Sequence, residues 1–167
     1  LWTSRATSHV SPRQVSELLN EESILTAARV LDKALRASGN DDPQIAVAGL
    51  NPHAGDGGMF GTEEIDIIEP AVRKAQQEGI NVSGPFPPDT IFLMGRDGKY
   101  DAVVTMYHDQ GQIAMKLMGF DHGVTVHAGL DYPVTTSAHG SAYDIAGQGI
   151  ANVRALREAF LLACSMS

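Results

Sequence analysis

Ile45-Ala46-Val47-Ala48-Gly49-Leu50 is a short, unbroken apolar run, and Asn51-Pro52-His53-Ala54-Gly55-Asp56-Gly57-Gly58 follows it at once. A segment that is apolar at every position has no face to offer water, so the run predicts a strand covered on both sides, as in parallel sheets flanked by helices. Outward from it, Ala102-Val103-Val104-Thr105-Met106-Tyr107 repeats the pattern and predicts a second buried strand. Gly123 to Val126 reads as a short alternating strand, and a shorter one is expected near the N-terminus, before His9. Helix-like stretches lie between these. That alternation predicts an α/β fold with a largely parallel sheet.

The helical stretches carry their own punctuation. Residues 10–38 read as helix in one or two pieces, opened by Ser11-Pro12 as N-cap and first helical residue. Ile24, Ala28, Leu31 and Leu35 recur at helical spacing as one apolar stripe, and Gly39 to Pro43 ends it. After the glycine-rich segment 51–61, Ile65, Ile68, Val72 and Ala75 predict one buried helix face, with Pro70 kinking or restarting the helix. Glu63, Glu64 and Asp66 suit the positive end of its dipole. Gly84-Pro85-Phe86-Pro87-Pro88-Asp89 reads as a rigid connector. Asn152 to Met166 reads as a closing helix with Leu156, Phe160 and Ala163 on its buried side.

Bulk properties narrow the function classes. A chain of 167 residues suits a single α/β unit. A net charge of −8 argues against nucleic-acid partners, which need clustered Lys and Arg. No apolar run approaches the ~20 residues of a membrane span, so no membrane association is expected. The single cysteine, Cys164, excludes an internal disulfide framework. With no signal-peptide pattern at Leu1 to Arg5, a cytoplasmic protein is expected. The chain lacks an initiator Met and opens as if inside an element, which reads as a piece of a longer protein.

Ligands of open α/β sheets bind beyond the carboxyl ends of the strands. His53 and His108 fall just after the two buried strands, and His9 after the short first one. Three imidazoles that leave coordination positions open would make a catalytic metal site, and imidazole suits Zn, Co, Ni or Fe(II). Spacing alone leaves open that these are surface histidines. Asp109 beside His108 could orient the imidazole, take a proton, or cap the following helix.

Thr7-Ser8-His9-Val10, Leu50 to Gly55, Gly61-Thr62-Glu63-Glu64-Ile65 and Tyr107-His108-Asp109-Gln110-Gly111 resemble, in order and spacing, the signature segments of the 4-hydroxythreonine-4-phosphate dehydrogenase family. The resemblance runs over essentially the whole chain, as the C-terminal half of a two-domain dehydrogenase. It implies a three-layer α/β/α fold like that of the isocitrate and isopropylmalate dehydrogenases, not a Rossmann dinucleotide domain. It further implies that His9, His53 and His108 bind a divalent metal (Zn, Co, Ni, Mn or Mg) at the interface of a homodimer with a shared active site. Asp109 and Asp89 match carboxylates at the active site, although Asp89 also suits a turn after two prolines. Lys116 and Thr125 match substrate-contacting positions.

Ala138 to Asn152 resembles the adenine-binding loop of the isopropylmalate dehydrogenases, which implies NAD as cofactor. His139, Gly140, Ser141, Ala142, Asp144, Ile145 and Asn152 are its expected contacts. Glycines let backbone approach a flat ring, and a carboxylate facing the ribose disfavours a 2′-phosphate. The same residues also describe a glycine-rich connector with Asn152 as N-cap. Thr125 stands where the vitamin B6 enzyme has asparagine, and Val134 where it has arginine. Gln112 to Lys116 and Thr135 to Gly140 are closer to the sister group that oxidises 4-phospho-D-threonate or 4-phospho-D-erythronate. The expected activity is metal- and NAD-dependent oxidation, with decarboxylation, of a small phosphorylated hydroxy acid. The alternatives are a metal-dependent hydrolase with Asp109 as base, and an inactive truncated homologue.

Overall fold

The computed structural model describes residues 1–167. The two apolar runs are central strands, β2 (Ile45–Ala48) and β4 (Ala102–Thr105), with every residue of both buried. They are flanked by β1 (Trp2–Arg5) and β3 (Val82–Phe86) in a four-stranded sheet of order β1-β4-β2-β3, every pairing parallel.

Alternation along the strands feeds two cores. Ile45, Val47, Ala102 and Val104 face α2 (Glu21–Ala37) and α3 (Glu69–Gln77), against Ile24, Leu25, Ala28, Leu31, Val72 and Ala75. Ala46, Ala48 and Val103 face the other way, onto Ile91 and Phe92 of α4 (Ile91–Arg96) and Ala114 of α5 (His108–Gly119). Helices on both faces of a parallel sheet make the expected three-layer α/β/α unit. The helical segment 10–38 is two pieces, α1 (Pro12–Leu18) and α2. The break falls at Asn20, whose Oδ1 accepts from the Ser23 N–H at 3.0 Å.

Three expectations need correcting. The first half of the stretch read as a rigid connector, Gly84 to Phe86, is the end of strand β3, because proline is tolerated on an edge strand, where one side of the ladder is unpaired. Gly84 is required there, since a Cβ would lie 2.5 Å from the Val47 carbonyl oxygen. Secondly, Ile65 is exposed and Glu64 is buried. Pro70 has no N–H to donate one turn back, and the chain before it widens into a π-helical turn, Glu64–Ile68, closed by Glu69 N–H to the Glu64 carbonyl. One extra residue in a turn rotates what precedes it by ~100°. Glu64 therefore enters the position the periodicity assigned to its neighbour, while Ile68, Val72 and Ala75 stay buried.

The third correction concerns the C-terminal layer. Strands β5 (Val124–Val126) and β6 (Thr135–Ser137) form an antiparallel pair on which α6 (Arg154–Ser165) lies. The residues it buries are Ala155 and Ala159, not Leu156 and Phe160, which are 60% and 66% exposed. Two strands cover only one flank of a helix that is apolar on two, and the flank of small side chains comes closest: Thr135 Oγ1 donates to the Ala159 carbonyl at 2.7 Å. Accessible surface totals 9535 Å², against ~8,000 Å² for a compact monomer of this mass. Ile113, Leu117, Phe120, Leu156 and Phe160 are among the large apolar side chains left in solvent. No helix is long and apolar enough to cross a membrane.

Ile45 is wholly buried between α2 and the sheet, so Ile45→Ala is expected to lower unfolding stability by about 2–5 kcal/mol in urea titration.

Candidate active site at the carboxyl edge of the sheet

All four parallel strands end on one edge, and their exits carry the candidate residues in spatial order: His9 after β1, His108 and Asp109 after β4, His53 after β2, and Asp89 after β3. The first two exits are zipped together. The Ala6 N–H donates to the Thr105 carbonyl at 2.8 Å, and the buried Thr7 Oγ1 donates to the Met106 carbonyl at 2.7 Å. His9 leaves this seam with a left-handed backbone, φ 53°, a conformation that costs a non-glycine residue about 1–2 kcal/mol. Its ring lies 5.4 Å from that of His108, centroid to centroid, tilted by 42°. Ser8, Val10, Pro12, Val15, Tyr107 and Asp109 line the cleft around the pair.

Each ring of this pair has Nδ1 engaged. His108 Nδ1 bonds Asp109 Oδ1 at 2.7 Å, and His9 Nδ1 bonds Ser8 Oγ at 3.1 Å. A partner on Nδ1 fixes ring orientation and turns Nε2 outward as a ligand. The donor chemistry therefore fits a divalent metal. It does so with two imidazoles only: within one chain no three His, Cys, Asp or Glu side chains are arranged so that they could hold an ion. His53 sits on the other side of β4's exit, with its exposed ring 6.0 Å from Phe60.

What aims His53 is a left-handed turn. His53, Ala54, Gly55, Asp56 and Gly57 all have φ between 44° and 81°, a run that L-residues avoid. Glu64 holds it from beneath. This side chain, 2% exposed, accepts from the Leu50 N–H (2.7 Å) and Asn51 N–H (2.8 Å) on Oε1, and from Asn51 Nδ2 (2.9 Å) on Oε2. A Cβ on Gly55 would lie 2.6 Å from Glu64 Oε2, so the carboxylate occupies the space a side chain at residue 55 would need. Gln110 ties the neighbouring exits: its Oε1 accepts from the Met106 N–H at 2.7 Å, and its Nε2 donates to the Gly49 carbonyl at 2.8 Å.

The remaining candidates are dispersed. Asp89 is exposed in the turn after β3, where the Thr90 N–H donates to the Pro87 carbonyl. Lys116 is exposed on α5, eight residues beyond His108, and forms no ion pair. Thr125 is half-buried at the centre of β5, opposite Thr136. The loop from Ala138 to Asn152 is almost entirely exposed, with His139, Gly140, Ser141, Ala142 and Asp144 in solvent and Ile145 half-buried. Ala142 (φ 48°), Gly147 (φ 76°) and Gly149 (φ 68°) are left-handed. Gln148 Nε2 closes the turn on the Asp144 carbonyl at 2.8 Å, and the exposed Asp144 carboxylate takes no hydrogen bond from the chain. Asn152 sits one residue before the helix cap, Val153, and accepts from the Arg154 N–H at 3.0 Å.

Sequence reasoning missed Glu64 and Gln110 as parts of the site. Glu64 read as a helix-dipole partner, and only the offset of Pro70 hinted that its phase was inward. Gln110 carries no charge and no metal affinity, so residue type alone did not mark it.

Both Gly55→Ala and Gly57→Ala place a side chain on left-handed backbone, and Gly57 has nothing within 4 Å of the added Cβ. Thermal unfolding is expected to show Gly57→Ala costing about 1–2 kcal/mol. Gly55→Ala should cost clearly more, because it also displaces the Glu64 carboxylate.

Comparison with known proteins gives consistent matches. The family model described as pyridoxal phosphate biosynthetic protein PdxA matches residues 1–163. A Pseudomonas aeruginosa protein, provisionally named 4-hydroxythreonine-4-phosphate dehydrogenase 2, is 60% identical over 99% of this chain and 50% of its own length. D-threonate 4-phosphate dehydrogenase of Pectobacterium atrosepticum is 44% identical over 95% of this chain and 49% of its own. The crystal structure of 4-hydroxythreonine-4-phosphate dehydrogenase from Klebsiella pneumoniae superposes with a TM-score of 0.87 at 44% identity, over 98% of this chain and 50% of that one. A terephthalate 1,2-cis-dihydrodiol dehydrogenase from Burkholderia xenovorans superposes at 0.73 with 33% identity, over 98% of this chain and 52% of that one. The chain thus spans about half the length of the curated relatives it matches.

Proposed function

This chain belongs to the PdxA family, and on that premise we propose that it forms the metal- and NAD-handling part of a dehydrogenase that oxidises a phosphorylated hydroxy acid, with decarboxylation. The observation that carries this reading is the His9–His108 pair: two imidazoles 5.4 Å apart at the carboxyl edge of a parallel sheet, each held through Nδ1. The relatives' names support the class of reaction, since all those compared above are named dehydrogenases.

His9 and His108 of one chain, with His53 of the partner subunit, would hold a divalent ion. The separation of His53 from the pair within one chain, and the large apolar side chains left exposed on α5 and α6, support a homodimer with a shared site. Such an ion would supply Lewis-acid chemistry, favouring ionisation of a substrate hydroxyl and stabilising developing oxyanion charge. Asp109 orients His108, and its second carboxylate oxygen stays available to accept a proton at the cleft. Lys116, exposed and unpaired, offers a point positive charge for the substrate phosphate. The left-handed turns of the loop 138–152 expose backbone N–H and C=O groups for adenine, and the unpartnered Asp144 carboxylate can accept two ribose hydroxyls, which favours NAD over NADP. The hydrolase alternative gives this loop no task.

The test uses the full-length protein. Zinc- or cobalt-loaded enzyme is expected to reduce NAD with 4-phospho-D-threonate or 4-hydroxy-L-threonine phosphate, while a carboxylated cis-dihydrodiol serves as the competing substrate. His53→Ala should lose metal-dependent NADH formation by at least 100-fold with an unchanged circular dichroism spectrum. Full activity in that variant would sink the metal assignment. Mixing inactive His53→Ala and His108→Ala subunits should restore part of the activity, because one site of the mixed dimer then carries both wild-type contributions. No restoration after verified subunit exchange would contradict the shared site.

A further inference from the structure

In the homodimer proposed above, His53 and His108 of one chain would serve different sites, so the separation of their strand exits decides how His53 is presented to the neighbouring subunit's site, and the sheet does not set it. β2 and β4 are in register from Ile45↔Ala102 to Val47↔Val104. Beyond that the chain leaves the ladder, and the link between the two exits is a single side chain. Gln110, in the first turn of α5, accepts from the Met106 N–H with Oε1 (2.7 Å) and donates from Nε2 to the Gly49 carbonyl (2.8 Å). One planar amide thereby satisfies a donor of β4's exit and an acceptor of β2's. An ionised glutamate cannot donate, and methionine cannot donate and accepts only weakly.

The far side of β2's exit is held just as closely. The Gly49 N–H donates to the Phe86 carbonyl of β3 at 2.8 Å, and the next two N–H groups, of Leu50 and Asn51, end on Glu64 Oε1. Gly49 has no slack, since a Cβ there would meet Ala54 Cα and Glu64 Oε1 at 3.0 Å. His53 lies two residues beyond Asn51, and His108 two residues before Gln110. The exit of β2 is thus clamped between Glu64 on one side and Gln110 on the other.

We propose that Gln110 is a positioning residue that sets the separation of the His53 and His108 exits against Glu64 as a fixed post, and so tunes metal binding without touching the metal. Its functional half rests on the metal reading above, whereas its geometric half does not. A purely structural amide would affect melting temperature alone.

The experiment uses full-length Gln110→Met, which keeps the volume and loses both bonds, and Gln110→Glu, which keeps the bond to Met106 but sets a second acceptor against the Gly49 carbonyl. Cobalt(II) is the probe. Its absorption bands report coordination geometry, and its dissociation constant is read by titration. Crystal structures supply the His53–His108 Cα separation. Both variants are expected to weaken cobalt binding by about 10–100-fold, to alter the cobalt spectrum, and to move the separation beyond about 0.5 Å, the tolerance such sites demand. Wild-type affinity, spectrum and separation in both variants would overturn the proposal, whatever their melting temperatures. A shifted separation with unchanged cobalt binding would overturn it too, because the spacing would then not matter to the ligand. If the wild-type protein bound no cobalt through its histidines, the metal reading would fall, and the separation alone would decide whether Gln110 positions the exits.

Discussion

A carboxylate buried with no cation beside it is the constraint on which the rest of the site depends. Removing such a group from water costs several kcal/mol, and Glu64 is 2% exposed. Three N–H donors, two from backbone and one from Asn51, converge on it. Hydrogen bonds to a charged acceptor contribute about 1.5–3 kcal/mol each, enough to offset that cost. The compensation works only if residues 50 and 51 point inward, and the chain must then turn sharply to regain the surface. The run of left-handed residues from His53 to Gly57 is that turn. The carboxylate, the glycine that makes room for it and the exposed histidine are one structural unit.

The sheet supplies the second constraint. In a parallel sheet every strand ends on the same edge, so residues distant in sequence, at positions 9, 53, 89 and 108, all follow strands at that edge without any special packing. Strand order then decides which of them can touch. β1 lies beside β4, and His9 and His108 pair within one chain. β2 lies on the other side of β4, so the His53 loop does not join them. The exposed apolar side chains of α5 and α6 are surface that the proposed homodimer would cover.

Much of this was legible in the sequence, and what was not has a physical cause. The runs 45–50 and 102–107 announced buried strands because a two-sided strand has no polar positions to hide its pattern. The stripe of α2 was clear because helix and period agreed. β3 was masked by its prolines, which are tolerated only because it is an edge. The inward phase of Glu64 was masked by a π-helical turn, which no fixed period can reveal. In α6 the periodicity pointed to the larger apolar flank, whereas the two-stranded layer had room for the alanine flank. The histidines were visible as residues after strands. Gln110 was not, because its role lies in bridging two backbones that only the fold brings together.

The account rests on the claim that these strand exits assemble a three-imidazole metal site. X-ray absorption at the zinc edge of the zinc-loaded, full-length protein tests it most directly. The account predicts three imidazole nitrogens at about 2.0–2.1 Å, with one imidazole lost in each of His9→Ala, His53→Ala and His108→Ala. A zinc shell of sulfur or carboxylate oxygen, unchanged by those substitutions, would contradict it.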